Sequence, residues 1–155
     1  LHHEVEVVLL VGKEGKNISD LDALSHIAGV TIGLDLTLRD VQGWLKKSGL
    51  PWEISKSFEQ SAPLGIFKSY DPDIINLQNL SFSCSVNKDI RQRGNTCDML
   101  FPIKSLICIL SRLWVLQPGD IIYTGTPSGV GPLESGDRVY IESPVIGSFS
   151  WTLAS

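Results

Sequence analysis

The chain has 155 residues, 43% of them hydrophobic and 19% charged, with a net charge of −4. That is enough chain for one domain with a core of its own, and the acidic balance argues against nucleic acid or an anionic membrane as a partner. The longest apolar run, SLICILSRLWVL, is interrupted by Arg112 and is too short to span a bilayer.

Taken in chain order, VEVVLLVG (5–12) reads as a strand rich in β-branched residues, and KEGKN as a turn with Gly15 at its tip. SDLDALSHIAG reads as a short helix, with Ser19 as N-cap, acids in its first turn and Gly29 as its stop. VTIGLDLT follows as a second strand. Thr37 is placed to cap a second helix, LRDVQGWLKKSG, in which Leu38, Val41, Trp44 and Leu45 recur at helical spacing and Gly49 ends the run. LPWEISKSFEQSAPLG, with its two prolines, is irregular. LSFSCSV alternates as a half-buried strand, and NKD turns it into IRQRGN as a hairpin. FPIKSLICILSRLW reads as a buried helix. PGD then leads to strand IIYTG, and TPSGVGPLESGD is a loop. RVYIES and SFSWTL close the chain as two strands around a Pro-Val-Ile-Gly turn. No repeat, low-complexity tract or linker is visible, and strands dominate. The expected class is therefore α+β, mainly β, with much antiparallel sheet.

Cys84, Cys97 and Cys108 are odd in number and none forms a Cys-x-x-Cys pair. They read as reduced thiols of an intracellular compartment, and no secretory signal is visible.

Residues two apart in a strand share a face, so Glu4 and Glu6 project together while Val5 and Val7 point the other way. Paired carboxylates repel unless a cation lies between them. Asp35 lies in IGLDLT, flanked by leucines as Glu6 is by valines. Three acids on apolar strands can hold one divalent cation, with all-oxygen ligation favouring Mg²⁺, Mn²⁺ or Ca²⁺ over Zn²⁺. They can equally form a solvated strand face. His2 and His3 point to opposite sides, and with His26 as the third histidine there is no zinc set. Structural or exposed roles fit them better.

Lys56, between Trp52 and Phe58, is either a surface lysine or a half-buried cation for an anionic substrate. Arg39 and Gln42, three apart on one helix face, could hold a substrate carboxylate or form a solvated edge. TGTPSGVG lacks the Gly-Lys-Ser/Thr ending of a P-loop, which excludes that mode of nucleotide binding. Its backbone N–H groups and the hydroxyls of Thr124 and Thr126 could line an anion pocket, or the segment is a plain turn.

LHHEVEV, LDLTLRDVQ, GLPWEISKSF, APLG, QPGDIIYTGTPSGVG and the late GD occur in one order across the whole chain. Together they resemble the fumarylacetoacetate hydrolase family, closest to its acylpyruvase/oxaloacetate decarboxylase branch. The resemblance implies a mixed β-sandwich roll with a few short helices, usually a homodimer. It implies Mg²⁺ or Mn²⁺ on Glu4, Glu6 and Asp35, and Lys56 as the catalytic lysine that stabilises an enolate oxygen. It also implies substrate contacts from Arg39, Gln42, Lys56 and Thr126, the last near the substrate carboxylate.

The activity so implied is metal-dependent cleavage of a C–C bond in acylpyruvates (2,4-dioxo acids), with oxaloacetate decarboxylation or tautomerisation at the same centre. The substrate is a small 2-oxo or 2,4-dioxo acid. Neither nucleic acid nor membrane is a partner, and the location is intracellular, mitochondrial or cytosolic. In the family a segment precedes the His-His-Glu motif and carries a lid with a water-activating His–Glu pair. Residues 1–155 are thus expected to be a single catalytic domain lacking that segment. Hydrolysis is expected to be lost before enolate chemistry, and the opening strand to present an exposed edge that brings aggregation or dimer dependence. The competing expectation is a truncated, non-catalytic dimer partner that retains only the metal site.

Overall fold

The computed structural model describes residues 1–154. Strands β1 (His2–His3), β2 (Val5–Val11) and β3 (Ile27–Leu34) are followed by helix α1 (Arg39–Lys47) and strand β4 (Lys68–Ser69). Then come β5 (Ser81–Val86), β6 (Asp89–Asn95), helix α2 (Ile103–Leu113), β7 (Ile121–Tyr123), β8 (Gly131–Pro132), β9 (Arg138–Ser143) and β10 (Gly147–Thr152). They form two four-stranded sheets, ordered β4-β3-β2-β7 and β10-β9-β5-β6, and a small β1-β8 pair. Every pairing among the described residues is antiparallel. The predominance of strand over helix agrees with the class read from the sequence.

Alternation explains how the sheets meet. Val5, Val7 and Leu9 of β2 and Val30, Ile32 and Leu34 of β3 are paired across the ladder and buried together. Phe82, Cys84 and Val86 of β5, with Val139 and Ile141 of β9, supply the facing layer of the same core. Each such side chain contributes roughly 1.5–3 kcal/mol when taken out of water. The other face of β2 carries Glu6, Val8 and Leu10, opposite Gly33, Thr31 and Gly29 of β3.

Several elements differ from expectation. The first helix shrinks to one 3-10 turn, Ala23–His26, and Gly29 lies inside β3 instead of ending a helix. Sheet pairing outweighs the helical pattern here: Gly12 N–H donates to the His26 carbonyl and Tyr70 N–H to Ala28. Glycine at position 29 eases the close approach of β4, since a Cβ there would lie 3.2 Å from the Lys68 carbonyl oxygen. Ser19 closes only a local turn with Asp22. Thr37 does not cap α1; its hydroxyl donates to the Asp35 carbonyl, and Leu38 takes the cap position.

Trp44, at helical spacing with the buried Leu45, is 61% exposed. Helix α2 is buried along one face only, through Ile103, Ile107, Cys108 and Ser111, while Leu113 is exposed. The opening strand is not an edge, since β7 pairs with β2 on the side away from β3. The NKD turn forms as expected, with Asn87 and Lys88 both at positive φ (51° and 78°), the backbone of a tight hairpin turn. All three cysteines are free, Cys84 and Cys108 buried and Cys97 exposed. Among the described residues no helix is long and apolar enough to cross a membrane.

Candidate metal centre

Antiparallel pairing of β2 with β3 sets the start of one strand beside the end of the other, Val5 opposite Leu34. Glu4, just before β2, therefore lies next to Asp35, just after β3, and the Asp35 N–H donates to the Glu4 carbonyl at 2.9 Å. Glu6 enters the same space from the face of β2 turned away from the sandwich core. One carboxylate oxygen from each of Glu4, Glu6 and Asp35 falls within a group spanning no more than 4.8 Å. Glu4 and Glu6 are buried, so the solvated-face reading fails for them.

Two cations close the cluster. Lys56 Nζ donates to Glu4 Oε2 at 2.7 Å and also to Asp35 Oδ2. Arg39 pairs with Glu4 Oε1 and donates to Gln42 Oε1 at 2.7 Å. The turn bearing Lys56 is tied to the start of α1 by a Leu38 N–H bond to the Ser55 carbonyl, 3.0 Å. Arg39, Gln42 and Lys56 thus meet at one place although 17 positions separate the first from the last. The half-buried alternative for Lys56 is the one realised.

The charges do not share this environment equally. Burial pushes the Glu6 carboxyl up to about 7; its bond from the Gly125 N–H opposes this, while Asp35 and Glu4 add to it. Burial also raises Asp35 despite its bond from Lys56. At Glu4 burial is outweighed by the hydrogen bonds from Lys56 and Arg39, and the carboxyl falls below its ordinary value. Lys56 is raised, because its two carboxylate partners outweigh burial. Three acids against two bases leave Glu6 without a cation of its own.

The TGTPSGVG segment forms the rim. Gly125 N–H donates to Glu6 Oε2 at 2.6 Å, and Thr124 Oγ1 donates to the Val7 carbonyl at 2.8 Å. Thr126 is brought to the site, but its hydroxyl proton goes to the Val5 carbonyl at 2.9 Å and its oxygen accepts from Gln92 Nε2 at 2.8 Å.

Gln92, which lies outside the sequence motifs above, also joins the site. It is 1% exposed, and its amide also donates to the Pro127 carbonyl and accepts from the Val5 N–H and His3 Nδ1. Because that acceptor is an amide oxygen, His3 carries its proton on Nδ1. The available signal was alternation in IRQRGN, which sets one amide inward between two outward arginines. His26 rests on the Lys13 carbonyl, away from the acids.

The donor set suits a hard divalent cation, since it is all oxygen and already convergent. Glu4, Glu6 and Asp35 would be the residues that hold such an ion. It would also offset the charge of Glu6, whose carboxyl is raised first by burial and then by the neighbouring Asp35 and Glu4.

The family model described as fumarylacetoacetate (FAA) hydrolase C-terminal matches residues 1–154. The chain belongs to the fumarylacetoacetate hydrolase family. It is 45% identical over 141 residues to oxaloacetate tautomerase YcgM of Escherichia coli, a match covering 91% of this chain and 64% of that protein. It is 43% identical over 141 residues to the mitochondrial oxaloacetate tautomerase FAHD1 of Bos taurus, covering 90% and 62%. The chain thus spans less than two thirds of the length of these curated relatives. Among solved structures, fumarylpyruvate hydrolase from Pseudomonas aeruginosa, in complex with Mn²⁺ and pyruvate, superposes with a TM-score of 0.93 at 35% identity. That match covers 99% of this chain and 65% of the other.

Proposed function

We propose that this domain binds Mg²⁺ or Mn²⁺ on Glu4, Glu6 and Asp35 and acts on small 2-oxo acids. Its reactions are C–C hydrolysis of acylpyruvates and tautomerisation or decarboxylation of oxaloacetate. The observation that carries this reading is the convergence of three acid oxygens within 4.8 Å, with the Lys56 ammonium bridging two of the acids. A 2-oxo acid offers a carboxylate and a ketone oxygen side by side, and a bound cation would supply the Lewis acid that polarises that pair.

The chain's own residues do the rest. Lys56 sets a positive charge beside the oxygen on which enolate charge develops, an interaction worth about 2–4 kcal/mol in a desolvated site. Arg39, steered by Gln42, offers its guanidinium to the substrate carboxylate in exchange for Glu4. Thr126 takes part by releasing its bond to the Val5 carbonyl. Enolate formation is common to tautomerisation, decarboxylation and hydrolysis, and the residues placed here serve that step. The relatives' names and the Mn²⁺–pyruvate complex of the Pseudomonas enzyme support the same chemistry.

We extend the proposal to a homodimer, supported by exposed apolar side chains such as Leu100, Phe101 and Trp114. The bovine relative's name supports a mitochondrial location. Calorimetric titration with Mn²⁺, on the chain and on its Glu4→Ala/Glu6→Ala variant, followed by oxaloacetate and acetylpyruvate assays, tests the reading. Binding and turnover that both vanish in the variant are expected. Binding without turnover on either substrate would leave a non-catalytic partner, and no binding to the folded chain would refute the metal site.

A further inference from the structure

We propose that Tyr123 is a positioning residue of the cation site: once a cation is bound, its hydroxyl donates a hydrogen bond to the Glu6 carboxylate and holds it in its ligating orientation. The inference rests on the reading of Glu4, Glu6 and Asp35 as cation ligands.

The geometry is set by three strands. Tyr123 of β7 lies opposite Val8 of β2, so its side chain shares the face of Val8 and Glu6. Ile122, its neighbour, goes to the core instead. Beyond β2, Glu6 is paired directly with Gly33 of β3. The tyrosine ring spans β2 and brings its hydroxyl to Gly33, where a Cβ would lie 3.3 Å from that oxygen. Side chains directly across an antiparallel ladder start about 5 Å apart, so a hydroxyl above Gly33 stands beside the Glu6 side chain. Asp35 is two residues further along the chain.

The berth is made for it. Position 33 holds the one residue without a side chain, and a Cβ there would meet Pro63 O at 2.8 Å as well as the tyrosine. Yet the hydroxyl is buried and has no hydrogen-bond partner among the described residues. A buried donor left unpaired is costly, and the nearest chemistry able to use it is the acid cluster. A tyrosine phenol is protonated at neutral pH and so is able to donate. Donors of this kind fix the orientation of ligating carboxylates and commonly change metal affinity 10–100-fold when removed.

The test is Mn²⁺ calorimetry on the wild-type chain and on Tyr123→Phe, with urea unfolding of both in the cation-free state. The expected result is a Kd raised about 10–100-fold in a variant at least as stable as wild type without cation, because an unpaired buried hydroxyl has been removed. Tyr123→Leu gives the same reading should the phenylalanine ring pack badly. Wild-type affinity in either folded variant overturns the proposal. Failure of the wild-type chain itself to bind Mn²⁺ overturns the cation reading of the acids first, and this inference with it.

Discussion

Replacing Lys56 with Met separates charge balance from catalysis. Its ammonium bonds Glu4 and Asp35, and the lysine side chain is 19% exposed. Removing one partner of a buried pair costs about 3–5 kcal/mol. The partial exposure here, with Arg39 still on Glu4, brings the expected loss in the cation-free protein to about 2 kcal/mol. Cation binding should move the opposite way. Nζ lies 2.7 Å from Glu4 Oε2, so a doubly charged ion sharing that carboxylate, on the order of 4 Å from the ammonium, would be repelled by up to about 8 kcal/mol at an effective dielectric of 20. Side-chain movement and solvent reduce this to about 1–2 kcal/mol, a 5- to 30-fold gain in Mn²⁺ affinity for Lys56→Met. Turnover of oxaloacetate should nevertheless fall about 100-fold at saturating Mn²⁺, as a charge beside the enolate oxygen is lost. Urea unfolding, calorimetry and a saturating-metal assay give the three numbers. If affinity and turnover fall together, Lys56 merely holds the acids in place and its assignment to the enolate is wrong.

The Glu6 carboxyl, raised from 4.5 to about 7, makes the cation-free fold more stable below pH 4.5 than above 7, because the folded state binds the extra proton between those limits. The contribution lost on going from pH 4.5 to 7 is about 3 kcal/mol, and Glu6→Gln should flatten that part of a urea-midpoint profile. Mn²⁺ uptake near pH 6.5 should displace a proton, seen as a binding heat that depends on the buffer's ionisation enthalpy. Gln92→Leu strands the His3 Nδ1 proton, the Val5 N–H and the Pro127 carbonyl and should cost about 3 kcal/mol in urea unfolding; an unchanged midpoint would show that water replaces the amide. Gly129→Ala should lose at least about 3 kcal/mol, since φ is +100° there and a Cβ would lie 2.1 Å from the Arg91 carbonyl oxygen. A thermal melt within a degree or two of wild type would refute that.

Local patterns were enough to read most strands and the tight hairpin, because alternation and turn chemistry are properties of neighbouring residues. Glu4, Glu6, Asp35, Arg39, Gln42 and Lys56 were legible through their types, their order and the family they resemble. The helix expected over 19–29 does not form, because its capping and polar pattern cannot report that Lys68 and Gly12 approach from elsewhere. Gln92, Tyr123 and Gly33 went unremarked for the same reason: each matters through partners far along the chain. By itself, then, the sequence determined the strand-rich class, the acids able to hold a cation, and the family. Only the tertiary structure decided that β2 lies inside its sheet, that Lys56 and Arg39 close on the acids, that the Thr126 hydroxyl is occupied, and that a tyrosine reaches across β2 toward Glu6. Burial and hydrogen-bond distance are set by segments remote in sequence, and no local pattern encodes them.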